Sequence, residues 1–228
     1  MYTRQRAEWW MKRSLSPEYQ KAYDKIAFYA GRNLGRVVDF GFGTGEMMKR
    51  VYRKSSLILG IDSCRLMLCS AKENIEAAGI QAHTLESPED VTCYTDGAFL
   101  VEADMMKSYM SEGFFDVALY TFPEVFGNAD YGDIEPRLRE SIARSVLMGK
   151  MSDTLKPGGK LIMAKYDERD NRHINGVCED FRDLFGFEVL RQDFFGSRVH
   201  IDTDGPSSDP EYNLRGKGYR IFRMRKIE

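Results

Sequence analysis

Residues 36–45 read Arg36-Val37-Val38-Asp39-Phe40-Gly41-Phe42-Gly43-Thr44-Gly45, and the order of residue types in this stretch decides the fold class. A short apolar run closes on an acid, three glycines follow at alternate positions, and a helical stretch begins in which Met47 and Val51 share a face. Strand, tight turn and helix succeed one another directly. Glycine suits the turn because it takes left-handed backbone angles without a Cβ penalty and lets the main chain approach a ligand closely. The free N–H groups at the start of the following helix favour a carboxylate or phosphate. Such a turn alone is weak support for a ligand, because turns that bind nothing use glycine for the same steric reason. Its place after an apolar strand strengthens it.

The same alternation continues outward from this stretch. Residues 57–61 (LILGI) form a second buried-strand candidate, closed by Asp62 and Ser63, which are suited to cap a helix beginning near Arg65. Residues 98–103 are a third strand ending at Asp104, and residues 115–121 (FDVALYT) a fourth. A helix over 134–155 follows, with Leu138, Ile142 and Val146 in register, and Lys156-Pro157-Gly158-Gly159 turns the chain into a fifth strand over 160–165. Ile174, Val177, Cys178, Phe181 and Leu184 mark another helical face, before strand candidates at 187–194 and 218–225. Upstream, Ser16 and Pro17 read as cap and first helical position, and Tyr19, Tyr23, Ile26, Ala27 and Ala30 give an amphipathic helix through about residue 32. The polar stretch 84–97 reads as a long loop, and 196–216 as a turn-rich connection. Strands alternating with helices predict a parallel sheet joined by crossover helices.

A length of 228 residues and 26.3 kDa suits one globular domain, and 43% hydrophobic with 30% charged residues supplies both a core and a solvated surface. The expectation is a single domain over 1–228, with residues 1–33 as an N-terminal helical cap. No run of about eighteen apolar residues occurs, and the start of the chain (Arg4, Arg6, Glu8, Lys12, Arg13) lacks the apolar core of a secretory signal. A cytoplasmic protein with no membrane contact is therefore expected. Cys64, Cys69, Cys93 and Cys178 show no two-residue pairing, and His83, His173 and His200 are scattered, so no metal site is expected. The formal net charge of −2 gives no global attraction for nucleic acid. The run Arg215, Lys217, Arg220, Arg223, Arg225, Lys226 reads as a solvated edge strand more readily than as a binding stripe.

Two acids add to the glycine turn. Asp62 follows it by about twenty residues at the end of the second strand, where the paired hydroxyls of a ribose would lie, and Asp104 ends the third strand on the same carboxyl edge of the sheet. Each acid alone reads equally as a cap or a surface residue. Their order along successive strands favours a shared site.

VVDFGFGTG, then LGID through Asp62, EADMM around Asp104, and LKPGGKLIM match, in order and spacing, the landmarks of the class I S-adenosylmethionine-dependent methyltransferases. The chain resembles that family from about Tyr19 to Lys226, most closely its small-molecule members. The resemblance implies a Rossmann-like three-layer α/β/α fold with a mostly parallel seven-stranded sheet, order 3-2-1-4-5-7-6, whose last strand is antiparallel. It implies S-adenosyl-L-methionine as cofactor and S-adenosyl-L-homocysteine as product. By the same resemblance, Asp39 supports the glycine loop and the cofactor's amino group, and Gly41, Gly43 and Gly45 line the cofactor. Asp62 binds the ribose hydroxyls, and Asp104 accepts from the adenine amino group, with the Met105 backbone beside the ring. Tyr120 joins the cofactor-binding set. Phe42 departs from the family, which often has a small residue or cysteine there.

The helix at 17–32 is similar to the N-terminal helix that covers the cofactor in small-molecule members, so Tyr19 and Tyr23 read either as cofactor contacts or as core aromatics. Trp9 and Trp10 read as an acceptor wall or as packing. Methyl transfer needs mainly alignment and exclusion of water, and a general base would act just after the fourth strand, in Tyr120-Thr121-Phe122-Pro123-Glu124. Glu124 is the candidate acceptor-side carboxylate, with a loop surface acid as the alternative. The segment lacks the Asn/Asp-Pro-Pro-aromatic tetrapeptide of enzymes that methylate adenine or glutamine nitrogens, and it lacks a Pro-Cys pair. With nearly all the chain consumed by the fold, a small-molecule acceptor leads. An RNA (tRNA or rRNA) methyltransferase and a non-catalytic cofactor-binding protein are the alternatives. The acceptor and the oligomeric state are not specified by the sequence.

Overall fold

The computed structural model describes residues 4–122, 136–166, 181–196 and 218–227. Strands β1 (Gly35–Phe40), β2 (Ser55–Asp62), β3 (Ala82–Leu85), β4 (Gly97–Glu102), β5 (Phe115–Thr121), β6 (Leu155–Tyr166), β7 (Phe187–Gly196) and β8 (Gly218–Lys226) form one sheet in the order β3-β4-β2-β1-β5-β6-β8-β7. The pairs from β3 to β6 are parallel, and β8 runs antiparallel to both β6 and β7. The seven expected strands are present in the expected order, with the last one reversed.

The eighth strand, β3, is a correction. It occupies the edge beside β4 with only four residues, of which His83 and Thr84 are exposed, so neither an apolar run nor a clean alternation announced it. The stretch expected to be a long loop is ordered instead by the end of β3 and a 3-10 turn over Pro88–Cys93. Ser87 accepts there from the Glu89 N–H, and Asp90 accepts from the Ser87 N–H. β8 is not an edge strand either. It lies between β6 and β7, where Arg220 is buried, Arg225 pairs with Glu188, and Lys226 donates to the Ser152 and Leu155 carbonyls. Its basic residues are therefore largely spent within the fold.

Helices α1 (Arg4–Ser14), α2 (Pro17–Ala30), α3 (Glu46–Val51) and α4 (Arg65–Ala77) cover one face, packing Trp10, Ile26, Met47, Ala71 and Ile75 against Val37, Ile58, Leu100, Val117 and Leu119. Helix α5 (Pro136–Thr154) and the helical residues 181–185 cover the other, placing Leu147, Met148, Met151 and Phe181 against Val38, Phe40, Leu59, Phe99 and Ala118. Alternation along β1 sends Val37 and Val38 to opposite faces, so Asp39 points with Val37 toward α1–α4. Of the helical face expected over residues 174–184, those before 181 lie outside the described residues.

The expected caps are not formed through side chains. Ser16 precedes α2 in extended conformation without a side-chain cap, and Cys64 rather than Asp62 or Ser63 is the N-cap of α4. α2 ends at Gly31, whose φ of 95 and N–H bond to the Phe28 carbonyl at 3.1 Å close the last turn.

Gly60 explains how Phe42 is tolerated. A Cβ on Gly60 would lie 2.7 Å from Phe42 Cδ1 and 2.6 Å from Met48 Sδ, so the bare backbone of β2 is the floor on which the loop phenyl ring rests. Gly60→Ala overpacks this contact and is expected to destabilise the fold by about 1–3 kcal/mol, measured by urea unfolding. An unchanged midpoint would show that Phe42 moves freely.

Candidate functional site

Three strand ends meet at the carboxyl edge of the sheet. The loop after β1 is held by its glycines, with φ of 70 at Gly41, 53 at Gly43 and 75 at Gly45, a left-handed region that other residues enter at a cost. Gly41 donates to the Ile61 carbonyl at 2.8 Å and Gly45 to the Phe42 carbonyl at 2.9 Å. Gly43 donates to Asp62 Oδ2 at 3.0 Å, while Cys64 donates to Asp62 Oδ1 at 2.9 Å. Asp62 thus ties the end of β2 to the loop after β1. The end of β4 joins them, because the Ala103 N–H bonds the Asp62 carbonyl at 2.9 Å and Met105 Cε would lie 3.5 Å from a Cβ on Gly41.

The three glycines do different work. A Cβ on Gly41 would meet only Met105 within 4 Å, and one on Gly43 would lie 3.0 Å from Trp10 Nε1. A Cβ on Gly45 would lie 3.0 Å from Ile75 Cδ1 and 3.2 Å from Ala71 Cβ, so the bare glycine packs the loop onto α4. Of the expected cofactor-lining glycines, Gly41 and Gly43 border the edge and Gly45 serves helix packing.

Asp39 is fully buried, and neither carboxylate oxygen has a hydrogen-bond partner among the described residues. Burial, with the Asp62 charge nearby, pushes its carboxyl up to about 8. Asp62 is also pushed up, to about 6, by burial that outweighs the N–H bonds from Cys64, Gly43 and Ser63. Two neighbouring acids that resist ionisation invite a cationic or hydrogen-bond-donating ligand. Asp104 differs from both. Its Oδ1 accepts from the Met106 N–H at 2.9 Å and Lys107 lies 3.7 Å away, leaving the side chain half-exposed at the rim.

Tyr23 lies on α2, buried against the same face as Asp39. Burial raises its phenol well above the ordinary range, and the nearby charges of Glu46 and Asp39 add to this. Its ring meets Phe122 edge-on at 5.9 Å, and Tyr19 meets Phe122 at 5.3 Å and Trp10 at 5.3 Å. Both tyrosines are core aromatics of the cluster on this face. Tyr120 stands apart. It pairs in register with Phe40 and packs with the cluster on the α5 face, away from Asp39 and Tyr23. Glu124 lies outside the described residues.

Sequence reading missed the frame that holds the loop. Glu46, 2% exposed, accepts from Lys49 at 2.7 Å, Arg50 at 2.7 Å and Asn74 at 2.7 Å. Burial alone would raise its carboxyl, but these hydrogen bonds hold it below the usual carboxylate range. Arg50 reaches on to Asp24 at 2.7 Å and Gln20 at 2.7 Å on α2, and Asn74 donates to the Thr44 carbonyl at 2.8 Å. Thr44 Oγ1 bonds Ser14 Oγ at 3.0 Å, fixing α1 to the loop. The i, i+3 and i, i+4 spacing of Glu46, Lys49 and Arg50 was legible, but the partners on α2 and α4 were not. Among the described residues no group of His, Cys, Asp or Glu is arranged to hold a metal.

No family model and no curated protein matches the chain in sequence. Solved structures do match. The N-methyltransferase NodS of Bradyrhizobium japonicum, in complex with S-adenosyl-L-homocysteine, superposes with a TM-score of 0.64 at 10% identity, covering 97% of this chain and 99% of its own. The chain has the Rossmann-like fold of class I methyltransferases. The [4+2]-cyclase SpnF matches at 0.61 and 18% identity, over 92% of this chain and 81% of its own. An rRNA methylase from Streptococcus thermophilus matches at 0.50 and 14% identity, over 94% of this chain and 99% of its own. Proteins of different chemistry thus share this fold, which leaves the reaction to the site.

A raised carboxyl stabilises its protonated folded form, so the native state binds more protons than the unfolded state between the ordinary value near 3.8 and about 8. The contribution of Asp39 to stability is therefore present at low pH and lost as pH rises through that window. The gap between wild type and Asp39→Asn, measured by urea unfolding, is expected to shift in favour of the variant from pH 5 to pH 8. A gap independent of pH would place the Asp39 carboxyl at its ordinary value.

Proposed function

We propose that this protein is an S-adenosylmethionine-dependent methyltransferase acting on a small-molecule acceptor. The buried Asp39 carboxylate, unpartnered at the head of a left-handed glycine loop, carries this reading. An ammonium group is the partner it lacks, and the amino-acid end of S-adenosylmethionine brings one. Gly41 leaves space at the rim that a side chain would restrict, and Asp62 keeps lone-pair capacity beyond its backbone N–H bonds for ribose hydroxyls. Asp104, half-exposed beside Met105, is the proposed acceptor for the adenine amino group.

When bound, the cofactor supplies a methyl group on a positive sulfur, already activated for displacement. The chain's own task is alignment and exclusion of water. Asp39 would hold the ammonium, giving up its proton as the cation arrives. Asp62 would orient the ribose while anchoring the Gly43 N–H, so that ligand and loop are fixed by one side chain. Tyr19, Tyr23 and Phe122 would close the apolar side, and Trp10 would cover Gly43. Glu124, two residues beyond Phe122, is the proposed carboxylate that takes the acceptor's proton.

A small acceptor is supported by the placement of the basic residues of β8, whose Arg220, Arg225 and Lys226 are committed to the sheet and to helix–strand contacts. A phosphate-tracking surface needs such residues free. Methyl incorporation into tRNA or rRNA, with binding that falls steeply as salt rises, would replace the small acceptor with RNA.

Titration calorimetry tests the first step. Wild type is expected to bind S-adenosylhomocysteine saturably, and Asp62→Ala to weaken that binding by about 1–3 kcal/mol through loss of charge-assisted hydrogen bonds, with the far-UV spectrum unchanged. Absence of binding by wild type sinks the methyltransferase reading, whereas normal binding by Asp62→Ala sinks only the ribose placement. Asp39→Asn is expected to weaken S-adenosylhomocysteine while leaving 5′-methylthioadenosine, which lacks the amino acid, nearly unaffected.

A further inference from the structure

Arg13, near the end of α1, is a basic residue that the reading above leaves without a task. Its guanidinium carbon lies 5.2 Å from the centroid of Trp9 and 5.7 Å from that of Tyr19, within cation–π range of both rings. Its Nε is enclosed without a hydrogen-bond partner, and it makes no ion pair with an acid among the described residues. This contrasts with Arg50, which is paired with Glu46 and Asp24 across the loop frame. A desolvated guanidinium donor with no acceptor is costly to leave so.

Its position gives that cost a use. Arg13 follows Trp10, three residues back, whose Nε1 would lie 3.0 Å from a Cβ on Gly43, and precedes Ser14, which bonds Thr44 in the same loop. The Tyr19 ring against Arg13 is the one that meets Phe122 edge-on at 5.3 Å, where the chain leaves β5. The cation therefore sits between the glycine loop and the acceptor side. Contact with two rings restricts how the guanidinium turns, and its unpartnered Nε–H is a donor that a carboxylate satisfies with a charge-assisted hydrogen bond.

We propose that Arg13 is a carboxylate receptor at the mouth of the site, held in orientation by Trp9 and Tyr19. The carboxylate belongs either to the methyl acceptor or to the amino-acid end of the cofactor. This inference rests on the proposed function for the identity of the site, while the receptor itself can be tested without it.

Benzoate, with benzamide as its uncharged counterpart, is titrated into wild type, Arg13→Met and Arg13→Lys, with and without saturating S-adenosylhomocysteine, following the fluorescence of Trp9 and Trp10. S-Adenosylhomocysteine and 5′-methylthioadenosine are titrated by calorimetry into the same proteins. Thermal melts confirm that each variant is folded. If the acceptor supplies the carboxylate, benzoate binds wild type saturably and benzamide does not. Arg13→Met then weakens benzoate about ten- to hundredfold while leaving S-adenosylhomocysteine unchanged, and Arg13→Lys recovers part of the loss. If the cofactor supplies it, Arg13→Met weakens S-adenosylhomocysteine by a similar factor and leaves 5′-methylthioadenosine unchanged. Equal binding of every probe by wild type and Arg13→Met overturns the proposal, as does equal loss of benzoate and benzamide. Should wild type bind neither adenosyl compound, the methyltransferase reading fails, and the benzoate titration of the free protein still decides the role of Arg13.

Discussion

The carboxylate of Asp39 sits at the end of β1 inside a closed environment that offers it no hydrogen bond. Apolar neighbours are enough to build a Rossmann-like sheet, and Val37 and Val38 beside it do that work on opposite faces. An acid in the same strand opposes folding unless it stays protonated or meets a donor. The Asp62 charge worsens its position, and Asp62 in turn is fixed by the N–H groups of Gly43 and Cys64. Loop shape and acid placement are thus one constraint. The left-handed angles of the glycines aim the Gly43 N–H at Asp62, and this bond brings the second acid over the same edge as the first.

Around this pair the protein spends charge on rigidity. Glu46 and Arg50 are mostly buried, and a buried ion pair gains little net stability because desolvation opposes it. Its value here lies in connection. Through Arg50 the start of α3 is joined to Gln20 and Asp24 of α2, through Asn74 to α4, and through Thr44 and Ser14 to α1. Four helices are referred to the glycine loop by polar bonds with defined geometry, where apolar packing alone would leave them free to slide.

What the chain announced and what it concealed follow from the range of the forces involved. Runs such as LILGI and FDVALYT are local patterns with local causes, so the parallel strands were legible, as was the family-like succession of glycines and acids, whereas the order of the strands came only with the family resemblance. β3 escaped because an edge strand of four residues has one partner and little to bury. The basic run of β8 was read as an edge because charge usually marks solvent, whereas Arg220 is buried and Lys226 donates to the Ser152 and Leu155 carbonyls. Tyr120 stands at the end of the fourth expected strand, where alternation turns it to the α5 face. Glu46 with Lys49 and Arg50 was visible as helical spacing. That Gln20, Asp24 and Asn74 complete the network depends on helix packing, which no local pattern encodes.

Since a cyclase and an rRNA methylase share this fold, the chemistry of this chain is decided where the sheet frame ends and the loops at its carboxyl edge begin. Phe122 occupies that boundary. It takes a φ of 48, a conformation that costs a non-glycine residue roughly 1–2 kcal/mol. The cost is met by a hydrogen bond from its N–H to the Ala164 carbonyl at 2.8 Å and by edge-on contacts with Tyr19, Tyr23 and Tyr219. Strain sustained by surroundings tends to mark a place where geometry matters more than local comfort. Here it ends β5 against the rings of Tyr19 and Tyr23, with Trp10 packed on Tyr19 and Arg13 within cation–π range of the same ring. The strained residue is thus held by the aromatic cluster that joins α1 and α2 to the carboxyl edge of the sheet.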